Sequence, residues 1–397
     1  MPKVNPELLR WARETAGLSL EDAARKIGVK ATRKLSAVDR LDALENGATS
    51  PSVSLLKRMA KQYRRPLISF YLSKVPMRGE RGEDFRTLPD ADRKSDPLVE
   101  ALLRDIKARQ DMVRVILRDE EGVSPLRFVG SMRGSNKVDV VARSIVDDLG
   151  IKLEKFRASS TVEQAFGYLR HLAEDKGIFV LLAGNLGSHH TAIDVRAFRG
   201  FALADDIAPF VLINDQDAKS AWAFTLLHEL AHLWLGQSGI SGEFSDSKIE
   251  RFCSDVASKI LLPDIDQIGP LGSASANKTE AIGLFAAARR VSASMVAYRL
   301  FLENELSRGE WQQISRFFRE RWLENKEKQR VQSKEHEGGP NYYVVRRHRV
   351  GPALLQLVSR NLSAGSLTPT KAGKVLGVKP RSVAPLLNIS DRSPWAA

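Results

Sequence analysis

Hydrophobic residues recur every three or four positions along most of this chain, a spacing that predicts amphipathic α-helices. Near the N-terminus four short helices are expected, beginning close to Pro6, Ser19, Ser36 and Pro51. Ser19 precedes its apolar run as a helix N-cap would, and Gly28 follows that run as a stop signal. A short helix, a glycine and a second short helix form the pattern of a helix-turn-helix unit. An all-helical N-terminal domain is therefore expected.

The pattern changes in the middle of the chain. Amphipathic helices are predicted first, at residues 97–118, 137–149 and 161–176. Short runs rich in Phe, Val, Leu and Ile follow, at 177–184, 198–205 and 209–216, and such runs between turn residues are typical of strands. Their close spacing predicts a small antiparallel sheet beside the next helix. The fold class expected is α+β, with a mostly helical domain around this sheet and a helical C-terminal region.

The helix predicted at 221–236 is apolar over most of its surface, so we expect it to be buried. His228 and His232 lie four residues apart on one face, about 5–6 Å between Cβ atoms, and both can reach one Zn²⁺ ion. Glu229, at the edge of that face, would lie near a water molecule on the metal and act as its general base. His-Glu-x-x-His is the zinc-peptidase motif, so we expect the mostly helical domain to be zincin-like. The alternative is a pair of core histidines beside a surface carboxylate.

A catalytic zinc site needs a third protein ligand. The nearby candidates are His189, His190, Glu243, Asp246, Glu250 and Asp255. Glu250 lies 18 residues beyond His232 and opens another predicted helix after a loop of Gly, Ser and acidic residues. An antiparallel helix at that point can lay its carboxylate against the metal. Two histidines and a glutamate form the gluzincin-like set found in thermolysin.

The residues around this helix resemble the ImmA/IrrE family of zinc metallopeptidases. Its members have a strand ending in Ile-Asn-Asp, a Phe-Thr-Leu-x-His-Glu-x-x-His helix, and a helix with Glu, then Cys or Ala, then Leu-Leu-x-Pro. The matching residues here are 213–215, 224–232, Glu250, Cys253 and 261–263. By that resemblance Glu250 is the third ligand. The family usually has Asn where this chain has Ser254, a position that can orient a ligating histidine.

The N-terminal helices resemble an Xre-type helix-turn-helix, through residues 20–29, 44–47 and Pro51. Two features depart from that family. Residues 30–35 lengthen the turn, and the expected recognition helix carries Asp39 and Asp42, whose charges oppose contact with phosphates. The basic residues expected to contact DNA are Lys30, Arg33, Lys34 and Arg40. The alternative is a helical docking module that does not bind DNA.

Charge supports a nucleic-acid partner at both ends of the chain. The net charge is +13, divided as +8 over residues 1–75, −5 over 76–310 and +10 over 311–397. Basic flanks favour nucleic acid, although such surfaces are often only solvated. Two further helix pairs, 286–302 and 371–387, superficially resemble helix-turn-helix pieces. For both, the alternative is helical packing around the metal-binding helix.

The chain of 397 residues is long enough for about two or three domains. The domains expected are a helix-turn-helix domain at 1–76, a linker and connecting helix at 77–136, a peptidase domain at 137–305 and a basic helical region at 306–397. One cysteine excludes an internal disulfide. No apolar stretch approaches the roughly 20 residues that span a bilayer, and no signal core is present, so a cytoplasmic location without a membrane partner is expected.

Resemblance to the two families implies a zinc-dependent metallo-endopeptidase that also regulates transcription. The implied substrate is a helix-turn-helix repressor encoded nearby, in a stress-response or mobile-element context, and DNA would bind through residues 1–76. The alternative is a non-proteolytic DNA-binding regulator or toxin–antitoxin component with a retained zinc site. A closed structural site would need a fourth protein ligand and has no use for Glu229 as a base. The oligomeric state stays open.

Overall fold

The computed structural model of the chain describes residues 4–76, 97–120, 122–241, 248–269, 275–335 and 341–388. Two compact units divide the chain. One comprises Met1–Asp105 with Asn185–Thr191, and the other comprises Ile106–Gly184 with Ala192–Ala397. The four domain ranges expected from the sequence stay a prediction.

The first unit contains the four expected N-terminal helices. They are α1 (Pro6–Thr15), α2 (Leu20–Ile27), α3 (Ala37–Glu45) and α4 (Val53–Tyr63), followed by a 3-10 helix at Leu67–Tyr71. A polar side chain at each helix start accepts a main-chain N–H, which satisfies a donor that has no partner within the helix. Gly28 ends α2 in the left-handed conformation that glycine adopts without strain.

The same unit has an apolar core, and a buried ion pair ties two of its helices together. The core side chains include Leu9, Leu41 and Met59, each fully buried. Arg13 on α1 donates to both carboxylate oxygens of Glu45 on α3. Its guanidinium nitrogens lie 2.9 Å from Oε1 and 2.9–3.0 Å from Oε2. Because Glu45 is only 3% exposed, this two-point contact gives its charge the partner that burial requires.

The remaining helices follow in chain order. Pro97–Arg118 forms α5, whose bounds match the helix expected there. The others are α6 (Val138–Leu149), α7 (Leu153–Arg157), α8 (Val162–Asp175), α9 (Trp222–Trp234), α10 (Lys248–Leu261), α11 (Ser275–Ala288), α12 (Ala293–Leu302), α13 (Arg308–Glu335), α14 (Tyr342–Val350), α15 (Pro352–Ser363), α16 (Pro369–Leu376) and α17 (Val383–Leu387). Among the helices described, none combines the length and apolar character needed to cross a membrane.

The sheet has four strands, β1 (Phe179–Leu182), β2 (Gly200–Leu203), β3 (Phe210–Ile213) and β4 (Gly239–Ser241), in the order β1-β3-β2-β4. The expected antiparallel sheet is wrong in one respect, since β1 pairs parallel to β3 while β2 pairs antiparallel to β3 and β4. The parallel strands β1 and β3 are connected through residues 183–209, which include β2 and exceed the dozen or more residues that a parallel connection needs. The mixed sheet with flanking helices confirms the α+β class.

The core of the second unit lies around α9 and this sheet. Every residue of β1, β2 and β3 is buried, and because alternate side chains of a strand point to opposite faces, both faces must be covered. Helices α8, α9 and α14 contact the sheet. The 286–302 pair contributes Val291, Val296 and Leu300 to the same core, which agrees with packing rather than DNA contact.

Candidate metal centre

Helix α9 places both histidines of the motif in the interior of the protein. All of its residues except Phe224 are buried. His228 is 5% exposed, His232 1% and Glu229 0%. Imidazole and carboxylate groups removed from water in this way cost several kcal/mol unless they find polar partners or a metal ion. The apolar faces of α9 supply the packing energy that holds these polar groups in place.

Helix α10 packs on α9 and supplies a carboxylate to the two histidines. Glu250 Oε2 lies 3.1 Å from His228 Nε2, and Glu250 Oε1 lies 3.2 Å from His232 Nε2. The two Nε2 atoms lie 3.2 Å apart. The structure thus brings His228, His232 and Glu250 together, with one ligand atom of each within 4.8 Å of the others.

These spacings suit a metal ion held between the three side chains. Two ligands of a tetrahedral zinc ion, each about 2.0–2.1 Å from the metal, are about 3.3–3.4 Å apart. The distances of 3.1–3.2 Å lie close to that value. Two imidazole nitrogens that face each other repel unless a proton or a cation lies between them, and a cation would bind all three groups at once. The donor set of two imidazoles and a carboxylate is one that zinc accepts.

The electrostatics of the three residues favour the protonation states that bind a metal. Burial has the largest influence on His228 and lowers its pKa, since it disfavours the charged imidazolium. The nearby His232 also lowers this pKa, whereas Glu250 raises it. Burial alone would raise the pKa of Glu250. Hydrogen bonds from His228 and His232, together with their charges, outweigh it and lower that pKa to about 2. A neutral histidine and an ionised glutamate are the ligand forms.

Ser254 orients the first histidine from its other side. Its Oγ atom lies 3.2 Å from His228 Nδ1, so the hydroxyl is placed to fix the ring and its tautomer. Cys253, one residue earlier, is fully buried among the core side chains. Burial raises the pKa of its thiol well above the usual value, and the charges of Glu250 and Glu229 add to that effect. The thiol therefore belongs to the core.

Comparison with known families agrees with this geometry. Residues 173–301 match the model of the IrrE N-terminal-like domain, and residues 7–67 match that of a helix-turn-helix domain. The chain joins an IrrE N-terminal-like domain to a helix-turn-helix domain. The first match gives the domain a metallopeptidase-type fold and contains the entire His228, His232 and Glu250 group. No curated protein and no solved structure gives a significant match to the chain.

Two glycines of the IrrE-like domain were not anticipated as part of the site. A Cβ atom at Gly239 on β4 would lie 3.3 Å from His232 Cε1 and 3.7 Å from Glu250 Oε1. A Cβ atom at Gly200 on β2 would lie 2.8 Å from Glu229 Oε1. A glycine inside a strand often marks a close backbone approach, and this was the available signal. Both strands therefore reach the site through residues that lack a side chain.

The other candidates for the third ligand do not join this group in the described part of the chain. His190 lies on a short 3-10 helix and is exposed, whereas for His189 only the backbone is described. Asp255 is on α10, but burial raises its pKa and Arg299 and Arg251 are its charged neighbours. Glu243 and Asp246 lie outside the described residues.

In the helix-turn-helix domain, three of the four expected DNA-contacting residues lie in the turn between α2 and α3, and the fourth, Arg40, lies on α3. Lys30, Arg33 and Lys34 are exposed there, and the guanidinium of Arg40 donates to the main-chain oxygen of Lys30. DNA binding by these particular residues stays a prediction. Their common location gives the turn a locally positive surface.

The two aspartates of α3 have structural partners. Asp39 accepts hydrogen bonds from the main-chain N–H and the hydroxyl of Ser36, at 3.2 and 2.7 Å, and so completes a capping box. Asp42 accepts a hydrogen bond from Asn46 at 2.8 Å. Each carboxylate stabilises the helix that carries it, which accounts for acidic residues on an expected recognition helix.

Proposed function

We propose that this protein is a zinc-dependent metallo-endopeptidase that regulates transcription by cleaving a helix-turn-helix repressor. The observation that carries the proposal is the His228, His232 and Glu250 group, whose side-chain N and O atoms lie 3.1–3.2 Å apart, together with the buried Glu229, which follows His228 on α9. A structural site would close the metal with a fourth protein ligand. Within the described residues the group has three members.

In this proposal His228, His232 and Glu250 hold the zinc ion, and Ser254 fixes the ring of His228. A bound zinc ion would supply the Lewis acidity that polarises a scissile carbonyl and makes water acidic enough to attack it. Glu229 accepts the proton of the attacking water and passes it to the nitrogen of the leaving amine. Burial of Glu229 keeps bulk water from competing for that proton.

The sheet supports a peptide as the substrate. Strand β4 is the last in the order β1-β3-β2-β4, and its Gly239 lies against the side chains of His232 and Glu250. An extended peptide that paired with the outer edge of β4 would form main-chain hydrogen bonds and pass beside the metal ligands. Binding through the backbone suits an endopeptidase, since it needs no free terminus of the substrate.

The helix-turn-helix domain supports a regulatory substrate. A repressor bound at its operator is within reach of a peptidase that binds the same DNA. The surface proposed for that contact is formed by Lys30, Arg33 and Lys34 of the turn with Arg40 of α3. We also propose that the chain is organised as a helix-turn-helix domain, a linker, a peptidase domain and a basic C-terminal region. The proposed setting is the cytoplasm, in a stress response or a mobile element.

Incubation of the zinc-loaded chain with the repressor encoded beside its gene tests the proposal. Mass spectrometry should show two complementary fragments from one internal cut, and a chelator such as 1,10-phenanthroline should prevent the cut. Cleavage that returns when zinc is added would identify zinc as a metal ion that supports catalysis. A different result is a repressor that stays uncut and still leaves its operator only when this protein is present. That result would favour the non-proteolytic regulator or toxin–antitoxin component.

A further inference from the structure

The C-terminal helices α14 to α17 lie in a segment of unusual charge. Residues 341–388 contain eight Lys and Arg residues and no Asp or Glu. Neither family match extends into this segment, and the proposed peptidase chemistry uses none of its side chains. The structure separates the eight cations into two groups of four that differ in their partners.

The first four cations hold the segment together. Arg346 and Arg347 on α14 donate to main-chain oxygens at the ends of α16 and α17, at 2.6–2.9 Å. Arg349 and Arg360 pair with carboxylates of the same unit, at 2.6 and 2.8 Å. These arginines satisfy helix-end carbonyls and neutralise acidic side chains, so their charge is used within the protein.

The other four cations face solvent. They are Lys371, Lys374, Lys379 and Arg381, all exposed, and within the described part of the chain none of them forms an ion pair with a carboxylate. Lys371 and Lys374 lie three residues apart and therefore on one face of α16. Lys379 and Arg381 lie at the start of the next helical segment, so the four cover one turn and the helix before it.

Helix α16 and its turn repeat the local geometry of α2 in the matched helix-turn-helix domain. Both helices have eight residues, begin after a hydroxyl N-cap and end at a left-handed glycine, Gly28 or Gly377. In both, a valine follows the glycine and donates its main-chain N–H to the fifth residue of the helix, at 2.9 and 2.8 Å. A lysine comes next in each case, Lys30 or Lys379.

The C-terminal copy is closer to a compact helix-turn-helix than the N-terminal one. Residues 377–379 connect α16 to the 3-10 helix Pro380–Ser382, which leads directly into α17, whereas residues 28–36 separate α2 from α3. A turn of three or four residues is the usual length. The helix after the N-terminal turn carries Asp39 and Asp42, whereas residues 380–388 after the C-terminal turn include Arg381 and no Asp or Glu.

We propose that α15, α16 and α17 form a second DNA-binding unit, in which Lys371, Lys374, Lys379 and Arg381 contact the phosphates of duplex DNA. Two features favour a duplex over other polyanions. Residues 352–388 expose no large hydrophobic side chain for insertion into an anionic membrane. They also contain no aromatic residue on which the bases of single-stranded RNA could stack. This unit requires neither zinc nor proteolysis.

The test measures binding of the full chain to a fluorescent mixed-sequence duplex of about 30 base pairs, three helical turns, over a series of salt concentrations. Three variants, each with four cations changed to Gln, are compared with the wild type. The C-terminal variant changes Lys371, Lys374, Lys379 and Arg381. The N-terminal variant changes Lys30, Arg33, Lys34 and Arg40. A matched control changes Arg316, Arg319, Arg321 and Lys328, exposed cations of α13 that have acidic neighbours.

The C-terminal variant should bind the duplex at least about tenfold more weakly at low salt. Its log–log salt slope should fall by about 3–4, because each phosphate contact contributes about 0.9. The α13 control should keep the wild-type slope. The double variant Lys371→Gln with Lys374→Gln, which changes only exposed side chains of one helix, should lose about half as much of the slope.

Three results would overturn the proposal. One is a wild-type slope and affinity for the C-terminal variant. Another is an equal loss in the α13 control, since that would assign the effect to net charge alone. The last is a C-terminal variant that loses binding to vesicles of anionic lipid or to single-stranded RNA while its binding to the duplex is unchanged.

Discussion

Gly200 on β2 and Glu229 on α9 approach so closely that no side chain fits between them. A Cβ atom at residue 200 would lie 2.8 Å from Glu229 Oε1 and 2.7 Å from Thr225 Cγ2. Real Cβ atoms do not make contacts this short, so even a methyl group would force the carboxylate or the strand to move. The backbone of β2 thereby sets the position of the proposed general base.

Gly200→Ala should therefore impair catalysis more than metal binding. Displacement of the base by a few tenths of an ångström to 1 Å costs up to about 10²-fold in rate, because proton transfer requires alignment. We expect a lower kcat, a KM near that of the wild type and unchanged zinc content. Gly167→Ala is the matched control, since no atom lies within 4 Å of a Cβ at that position. Equal kcat values for the two variants would contradict this role of Gly200.

Ser254→Ala should weaken zinc binding without unfolding the protein. The Ser254 hydroxyl lies 3.2 Å from His228 Nδ1, and loss of such a partner typically costs 10–100-fold in metal affinity. Competition with a chromophoric chelator gives the affinity. Ser258→Ala removes a hydroxyl one turn later on the same helix, where it donates to the main-chain oxygen of Asp255. That control should bind zinc as the wild type does, and equal affinities for both variants would exclude the orienting role.

Glu250→Ala should abolish stoichiometric zinc binding, since it removes one of the three proposed ligands, whose side-chain N and O atoms lie 3.1–3.2 Å apart. Asp255→Asn, on the same helix but with Arg299 and Arg251 as its neighbours, should retain the metal. Metal analysis of the purified variants after dialysis measures both effects. Full retention by Glu250→Ala would move the third ligand to another residue, with Glu243 and Asp246 the first to examine.

Asp264 predicts a pH dependence of stability in acid. Arg157 and Arg289 donate to its two carboxylate oxygens, at 2.7 and 2.9 Å. Burial alone would raise the pKa of Asp264, but these hydrogen bonds and charges lower it from 3.8 to about 2. Because the folded protein holds the ionised form, this contribution to stability is present above about pH 4 and is lost as the pH falls through about 2.

Urea unfolding of Asp264→Asn should therefore show a loss of about 1.5–3 kcal/mol at pH 7, the range for hydrogen bonds to charged groups. The difference from the wild type should shrink as the pH falls from about 4 towards 2. Asp266→Asn, two residues away, is the control and should change little. A difference that is independent of pH between 7 and 2 would show that the ionised carboxylate of Asp264 is not responsible.

The sequence predicted which side chains lie together at the candidate metal centre better than it predicted the strands around them. His228 and His232 could be read from helical spacing alone, because an interval of four fixes their separation. The choice of Glu250 depended on how the next helix folds back onto α9, and the family resemblance indicated that arrangement. The group lies together in the structure.

The sequence did not predict which strands of the sheet pair with each other. The direction of β1 was wrong, because adjacent apolar runs suggest hairpins and nothing local shows that β1 passes β2 to pair with β3. Strand β4 was missed, since three residues at 239–241 have no recognisable period. The roles of Gly200 and Gly239 depend on which side chains lie opposite them, and that information exists only in the folded chain.

Glu229→Gln removes the proposed general base with little change of shape. Gln is nearly isosteric with Glu, so the packing of α9 and the three proposed metal ligands should be unchanged, yet the amide cannot accept the proton of the attacking water. The measurement is the initial rate of repressor cleavage, with zinc content determined on the same sample. We expect one zinc per chain, as in the wild type, and a rate lower by at least about 10²–10⁴-fold. A zinc-loaded Glu229→Gln variant that cleaves the repressor at the wild-type rate would contradict the proposed role of Glu229.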